Sequence, residues 1–260
     1  MKGIAKKNNV FLLALTIISA SLLSPAATRT KQKSNKPAEN ARVQQARTNS
    51  QKEIKVLFEK AGIDYPPKKL FLRIFKLERS VEIWAMDDDS GSFKLIDERL
   101  ACALSGNIGP KRKQGDHQVP EGFYALSEFN PNSRFHLSLR VNYPNKSDLA
   151  FCRGSDPGGD IFIHGSCVSD GCVSIRDTPI EQLYVMALDA KANGQKSIPV
   201  HIFPCRMDKS YCSSVMGFFS IDDEGLKKFW NSLKPGYDFF EQSHLLPEIK
   251  ISPDGYYTID

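Results

Sequence analysis

Between Leu70 and Phe203 the bulky apolar residues come in short runs, most of them closed by Gly, Pro, Asn, Asp or Ser. Runs bounded in this way are the pattern of β-strands, since a strand repeats every two residues whereas a stable helix needs a longer stripe of 3.6-residue period. Leu70–Leu77 and Val81–Met86 flank Glu78-Arg-Ser80, which predicts a hairpin. Asp87–Ser92 reads as a turn and Phe93–Ser105 as the next strand. Glu121–Phe129 and Arg134–Val141 pair across Asn130-Pro-Asn132, and Ile161–His164, Val173–Ile175 and Pro199–Phe203 complete the set. Three segments carry helical spacing instead. Glu53–Ala61 presents Ile54, Leu57 and Phe58 and is closed by Gly62. Thr178–Asn193 has Thr178 as cap, Pro179 at its first position and Gly194 after it. Asp222–Leu233 aligns Leu226, Phe229, Trp230 and Leu233. The expectation is a mainly β chain with a few helices, α+β in class.

The N-terminus predicts export. Lys2, Lys6 and Lys7 precede an apolar run from Val10 to Leu23, and Ser24-Pro-Ala-Ala27 offers small residues for cleavage. The run is short for a membrane span of about 20 residues, which favours a cleaved signal peptide over an anchor. The segments then expected are a signal peptide at 1–27, a flexible linker at 28–50 or a weak helix there, a short helical segment at 51–67, a catalytic domain at 68–208 and a C-terminal extension at 209–260. The formal charge of +5 sits in the leader: residues 1–36 hold seven Lys/Arg and no acid, leaving 28 bases against 30 acids. A near-neutral body lacks the concentrated basic face that a nucleic-acid partner needs. The one basic cluster, Lys111-Arg-Lys113, reads as a solvated loop.

The chemistry concentrates in Asp160-Ile-Phe-Ile-His164-Gly-Ser-Cys-Val-Ser169-Asp-Gly171-Cys172-Val-Ser-Ile-Arg176. A histidine ends a β-type run, and a Ser-Asp-Gly turn then delivers a cysteine. A free thiol is mostly protonated at neutral pH, so a nucleophilic cysteine needs a base beside it. His164 is near enough in sequence for a tight strand–loop–strand to supply that base to Cys172. Gly171 would let the chain turn sharply and leave amide N–H groups facing an oxyanion. Taken alone, the same residues also suit bland roles: a buried structural cysteine and a satisfied histidine. His164, Cys167 and Cys172 also form H-x2-C-x4-C, but a structural zinc lacks its fourth ligand nearby. No metal or other cofactor is therefore expected. Six cysteines in an exported chain raise disulfides. With Cys172 reduced, Cys205–Cys212 and Cys152–Cys167 are candidate pairs, and the odd remainder leaves another free thiol.

The wider sequence resembles the L,D-transpeptidase catalytic domain (YkuD-like), in its YafK-like branch. The resemblance runs through Cys102-Ala-Leu-Ser-Gly-Asn-Ile-Gly-Pro-Lys-Arg-Lys-Gln-Gly115, Val119-Pro-Glu-Gly-Phe-Tyr124, Phe129-Asn-Pro-Asn-Ser-Arg-Phe-His-Leu-Ser-Leu139, Asn142-Tyr-Pro-Asn145, Gly159-Asp-Ile-Phe-Ile-His-Gly165 and Ile198-Pro-Val-His-Ile-Phe-Pro204. The family's site reads His-Gly, a spacer, then Ser/Thr-His-Gly-Cys with an Arg two residues on. Here the spacer is short, Asp170 stands at the second His, and Ser174 stands at the Arg, with Arg176 the nearest arginine.

The resemblance implies a β-sandwich catalytic domain with a helical C-terminal extension. It implies Cys172 as nucleophile, His164 as base, the Gly165 carbonyl as the group orienting the imidazole, and amides near Gly171 and Cys172 as oxyanion donors. His136 and Ser138 would lie near the site, and Tyr143, Ser169, Asp170 and Arg176 would face substrate. Asp170 could also serve as a triad carboxylate, although Asp at this point more often forms the turn. The implied partners are peptidoglycan stem peptides at or near diaminopimelate and a wall-linked lipoprotein, met in the periplasm or cell envelope. Amide hydrolysis is favoured over two alternatives: transpeptidation, giving 3-3 crosslinks or protein–wall links, and a non-catalytic wall-binding module with Cys172 oxidised or tied to Cys167.

Overall fold

The computed structural model describes residues 39–88 and 91–260. The expected signal peptide and the first part of the expected linker, through 38, lie outside the described residues. In chain order the elements are helix α1 (Ala41–Ala61), strands β1 (Lys69–Phe75), β2 (Ser80–Met86), β3 (Lys94–Leu100), β4 (Ala103–Leu104), β5 (Gly122–Asn130) and β6 (Ser138–Val141), helix α2 (Lys146–Cys152), strands β7 (Phe162–His164) and β8 (Val173–Ser174), helix α3 (Asp177–Ala192), strand β9 (Pro199–Phe203), helices α4 (Ser210–Phe219) and α5 (Glu224–Ser243), and strands β10 (Ile249–Ile251) and β11 (Tyr257–Ile259).

Nine strands form one mixed sheet in the order β3-β2-β1-β9-β5-β6-β7-β8-β4. Its two end strands, β3 and β4, are separated in the chain only by Ala101 and Cys102. A link that short spans only a few ångströms, so the sheet must curl until its edges approach. The expected single strand Phe93–Ser105 is thus two strands on opposite edges. The bend is built into β5, whose Gly122–Ala125 pair with β9 and whose Leu126–Asn130 pair with β6. The register shifts between Leu126 and Glu128, a bulge that kinks the strand. The expected sandwich is this one sheet folded over.

Strand β1 is buried along nearly its whole length because both faces are covered. Leu70, Leu72 and Ile74 join a core shared with α1 and α3. On the alternate positions, Phe71 and Phe75 meet Phe240 and Tyr237 of α5. Each such aromatic contributes about 1.5–3 kcal/mol of burial. Trp230 is fully buried and donates from Nε1 to Glu121 at 2.7 Å, which fixes α5 against the sheet.

Helix α1 begins at Ala41, capped by the Asn40 side chain, rather than at Glu53. Its buried stripe runs Val43, Ala46, Ser50, Ile54, Phe58. The upstream half of that stripe is made of small residues, which is why residues 41–50 read as linker. Helix α3 starts at Asp177 with no side-chain cap bond, so Thr178 lies inside it rather than capping it. Helices α2 and α4 carry no sequence stripe of the expected kind; α2 is short and closed by an Asn145–Asp148 capping box. The basic cluster is not a solvated loop throughout. Lys111 is buried and pairs with Asp116 at 2.6 Å, and Arg112 packs over Phe151 and Phe229. Disulfides join Cys102 to Cys167 and Cys205 to Cys212, leaving Cys152 and Cys172 as free thiols. The expected Cys152–Cys167 pair is therefore replaced: Cys152 lies in α2 with its Sγ 3.0 Å from the Arg112 carbonyl.

Candidate active site

Strands β7 and β8 run parallel, with Ile163 opposite Val173 and His164 opposite Ser174. Because side chains alternate along a strand, the register puts His164, Ser174 and the residue one step before β8, Cys172, on the same side of the sheet. Antiparallel β6 adds Ser138 directly opposite His164. His164, Ser138 and Cys172 all line a single cavity of about 620 Å³, whose wall also includes Phe135, Asp160, Ser169 and Asp170. The sheet, rather than proximity in sequence, is what brings the imidazole and the sulfur to one space.

His164 is 1% exposed. Its Nδ1 lies 2.6 Å from the carbonyl oxygen of Gly165. A carbonyl only accepts, so Nδ1 carries the proton and Nε2 is left with a lone pair. One face of the ring stacks on Phe135, centroids 4.6 Å apart. Burial lowers the imidazole's pKa, and the Gly165 carbonyl opposes that only in part. Burial likewise pushes the Cys172 thiol up, with Asp170 and Asp160 adding to the rise and a Phe162 backbone hydrogen bond resisting it. Both shifts favour the uncharged forms, a thiol and an imidazole on one cavity wall, the sulfur lying 3.5 Å from the Asp160 carbonyl oxygen; a thiol becomes nucleophilic only as its proton leaves.

The turn that carries Cys172 is held from outside itself. Gly171 has φ +86°, and a Cβ there would sit 3.3 Å from the Gln118 carbonyl oxygen. Its N–H donates to Ser105 Oγ at 2.6 Å and is committed there, contrary to the expectation that it faces an oxyanion. Ser169 donates to the Cys172 carbonyl at 2.6 Å and accepts from the Ser105 N–H at 3.1 Å. Ser105 is a brace that no feature of spacing marks, although it lies within the Cys102–Gly115 stretch that resembles the family. Gly165 is required for space: a Cβ would stand 2.6 Å from Asp177 Oδ1 and 2.7 Å from the Phe135 carbonyl oxygen.

Three expected residues are placed elsewhere. His136 turns its Nε2 to Glu181 of α3 at 2.8 Å instead of lining the cavity. Tyr143 is buried and donates to the Pro157 carbonyl at 3.0 Å, tying loops together. Arg176 is exposed at the start of α3, outside the cavity wall. Asp170 does line the cavity, but its carboxylate meets His117 Nδ1 at 2.5 Å, so it is not the partner of His164. No feature of spacing announced His117. Cys167 is consumed in its disulfide, which removes the thiolate that the zinc reading needed and the partner that would have tied up Cys172.

Comparison with known proteins gives the family. Residues 78–202 match the YkuD family model, the L,D-transpeptidase catalytic domain. The chain is 33% identical over 192 residues, 73% of its length and 73% of the relative's, to the Escherichia coli (strain K12) protein YafK, whose name assigns it provisionally to the L,D-transpeptidases. Among solved structures it is similar to the helical cell shape determining protein Pgp2 from Campylobacter jejuni, at 17% identity and TM-score 0.41 over 76% of this chain and 80% of that one. It is also similar to Bdellovibrio bacteriovorus Bd1075, at 21% identity and TM-score 0.38 over 68% and 64%. The chain belongs to the L,D-transpeptidase (YkuD) family, and its class is that of peptidoglycan-acting, transpeptidase-type domains. Within that family it is similar to YafK.

Proposed function

We propose that this protein is an exported cysteine acyl-transfer enzyme that opens an amide at or near diaminopimelate of a peptidoglycan stem peptide. Cys172 Sγ attacks the carbonyl as its proton passes to His164 Nε2. The imidazolium then gives that proton to the departing amine, and the acyl group remains as a thioester. With the Gly171 N–H bonded to Ser105, the Cys172 N–H is the amide assigned to the oxyanion in this proposal. The observation that carries this reading is the Nδ1–H···O=C bond from His164 to Gly165. It orients the ring and fixes Nε2 as the basic nitrogen without a carboxylate.

Water is the proposed acceptor, which makes the enzyme an amide hydrolase that releases wall-linked protein or trims links; that preference follows the YafK-like departures of the site motif, while the name of the 33% identical relative points to the transpeptidase alternative. Two disulfides fit an oxidising compartment such as the periplasm. Among the described residues no helix is long and apolar enough to cross a membrane. The test is incubation with isolated sacculi followed by mass spectrometry of the products. Hydrolysed amides without new links are expected, whereas new crosslinks or exchanged amines would assign transpeptidation instead. A Cys172→Ala protein giving the wild-type products would remove the cysteine mechanism altogether.

A further inference from the structure

The cavity holds an unused cation. Asp160 and Asp170 both line it, and both are engaged, Asp160 with Arg140 at 2.9 Å and Asp170 with His117 at 2.5 Å. Arg134 lines the same cavity and forms no ion pair among the described residues. Its guanidinium carbon lies 5.3 Å from the centre of the Phe135 ring. That ring stacks on His164 at 4.6 Å, so the two distances together keep the cation within about 10 Å of the imidazole centre. The loop is held at both flanks, since Arg42 of α1 donates to the carbonyls of Ser133 and His136 at 2.9 and 2.5 Å.

The position two residues after the nucleophile offers no such charge. Ser174 stands there, its hydroxyl 2.7 Å from the Ser166 carbonyl oxygen and 3.0 Å from that of Gly165. Arg176 lies outside the cavity. An uncommitted guanidinium on a braced loop, stacked on an aromatic ring, matches a planar anion that accepts two parallel N–H bonds. A carboxylate has that shape.

We propose that Arg134 is the carboxylate-binding residue of this site and selects substrates carrying a free carboxylate a short methylene chain from the carbonyl under attack. The inference rests on the stem-peptide reading above; in that substrate class the group is the carboxylate on the far centre of diaminopimelate. A neutral carboxamide at the same place offers a carbonyl oxygen but no charge, and loses the charge-assisted part of the contact.

Binding separates this assignment from the reaction. Cys172→Ala protein is titrated by calorimetry with two diaminopimelate tetrapeptides, one bearing the free carboxylate and one the carboxamide. The carboxylate peptide is expected to bind about 10–100-fold tighter, the range of hydrogen bonds to a charged group. Adding Arg134→Gln, a change at an exposed position, should reduce that ratio to about one, and Arg134→Lys should restore part of it. Equal affinities with Arg134 present, or a preference that survives Arg134→Gln, would overturn the assignment. If the preference follows Arg134 while wild-type protein neither cleaves nor exchanges the peptide, the recognition stands and the proposed reaction falls. Failure of both peptides to bind removes both.

Discussion

At the scale of single residues, the Gly165 carbonyl takes the place that a carboxylate holds in other nucleophile–base pairs. It accepts the Nδ1 proton without adding charge, so it orients His164 while giving the imidazolium little extra stabilisation. Burial therefore dominates and lowers the imidazole's pKa. The sign follows directly: protonation of Nε2 removes the base, and it is delayed to a pH below the ordinary histidine value of about 6.5. The acid limb of the kcat/KM–pH profile should accordingly lie below 6.5, and a limb above it would contradict the neutral-pair description. Cys172 is held up by burial first and by the Asp170 and Asp160 charges after it. Removing one negative charge favours the thiolate, so Asp170→Asn should lower the thiol's pKa. At pH 7, iodoacetamide should label Cys172 a few-fold faster in that variant. An unchanged or slower rate would show that Asp170 does not act on the sulfur.

At the scale of elements, the site is assembled by parts distant in sequence. Helix α1 reaches the cavity wall through Arg42, which clamps the Ser133–His136 loop, and Asn40 bonds Asn132 of the same loop at 3.0 Å. Arg42→Ala should leave α1 folded on α3, where Arg47 still pairs with Asp189 at 2.8 Å. It should lower kcat/KM about tenfold, a loss of one or two charge-assisted hydrogen bonds, with thiol labelling of Cys172 unaltered. Equal kinetics would show that the loop holds itself.

Legibility also divides by element. The strands β1, β2, β5 and β7 and the helix α3 were readable because their apolar residues are large and keep one period. That Cys172 and His164 line one cavity was readable in outline, since both lie in one short strand–turn–strand, but the parallel β7–β8 register that sets their common side was not. The start of α1 was not, since Val43, Ala46 and Ser50 make a stripe of small residues. The division of β3 from β4 depends on how the whole sheet closes, which no local period records. His117 and Ser105 reach the turn by tertiary contact alone, and His136 and Tyr143 were misplaced because neighbouring α3 and the Pro157 loop decide where they bond.

At the scale of the whole molecule, the closed curl of the sheet places the β4 edge beside the site loop, and the Cys102–Cys167 disulfide fastens the two across a sequence separation of 65. A Cys102→Ser/Cys167→Ser protein should lose about 2–5 kcal/mol in denaturant unfolding, as expected for a cross-link closing a loop of this kind. Its absence from the stability difference would mean that β4–β8 pairing alone secures the edge. Helix α5 covers the side of β1 turned away from α1 and α3 with Phe229, Trp230, Leu233, Tyr237 and Phe240, all essentially buried. That layer contributes no residue to the cavity wall.

The central claim is that His164 draws the proton from Cys172 so that sulfur takes up the acyl group of a wall peptide. Intact-protein mass spectrometry of enzyme quenched in acid after mixing with a diaminopimelate tetrapeptide tests it most directly. The prediction is an acyl adduct on Cys172, released by hydroxylamine, absent in Cys172→Ala and slowed about 10²–10⁴-fold in His164→Gln. An adduct that forms at the wild-type rate without His164, or product release with no adduct on Cys172 at any time point, would contradict it.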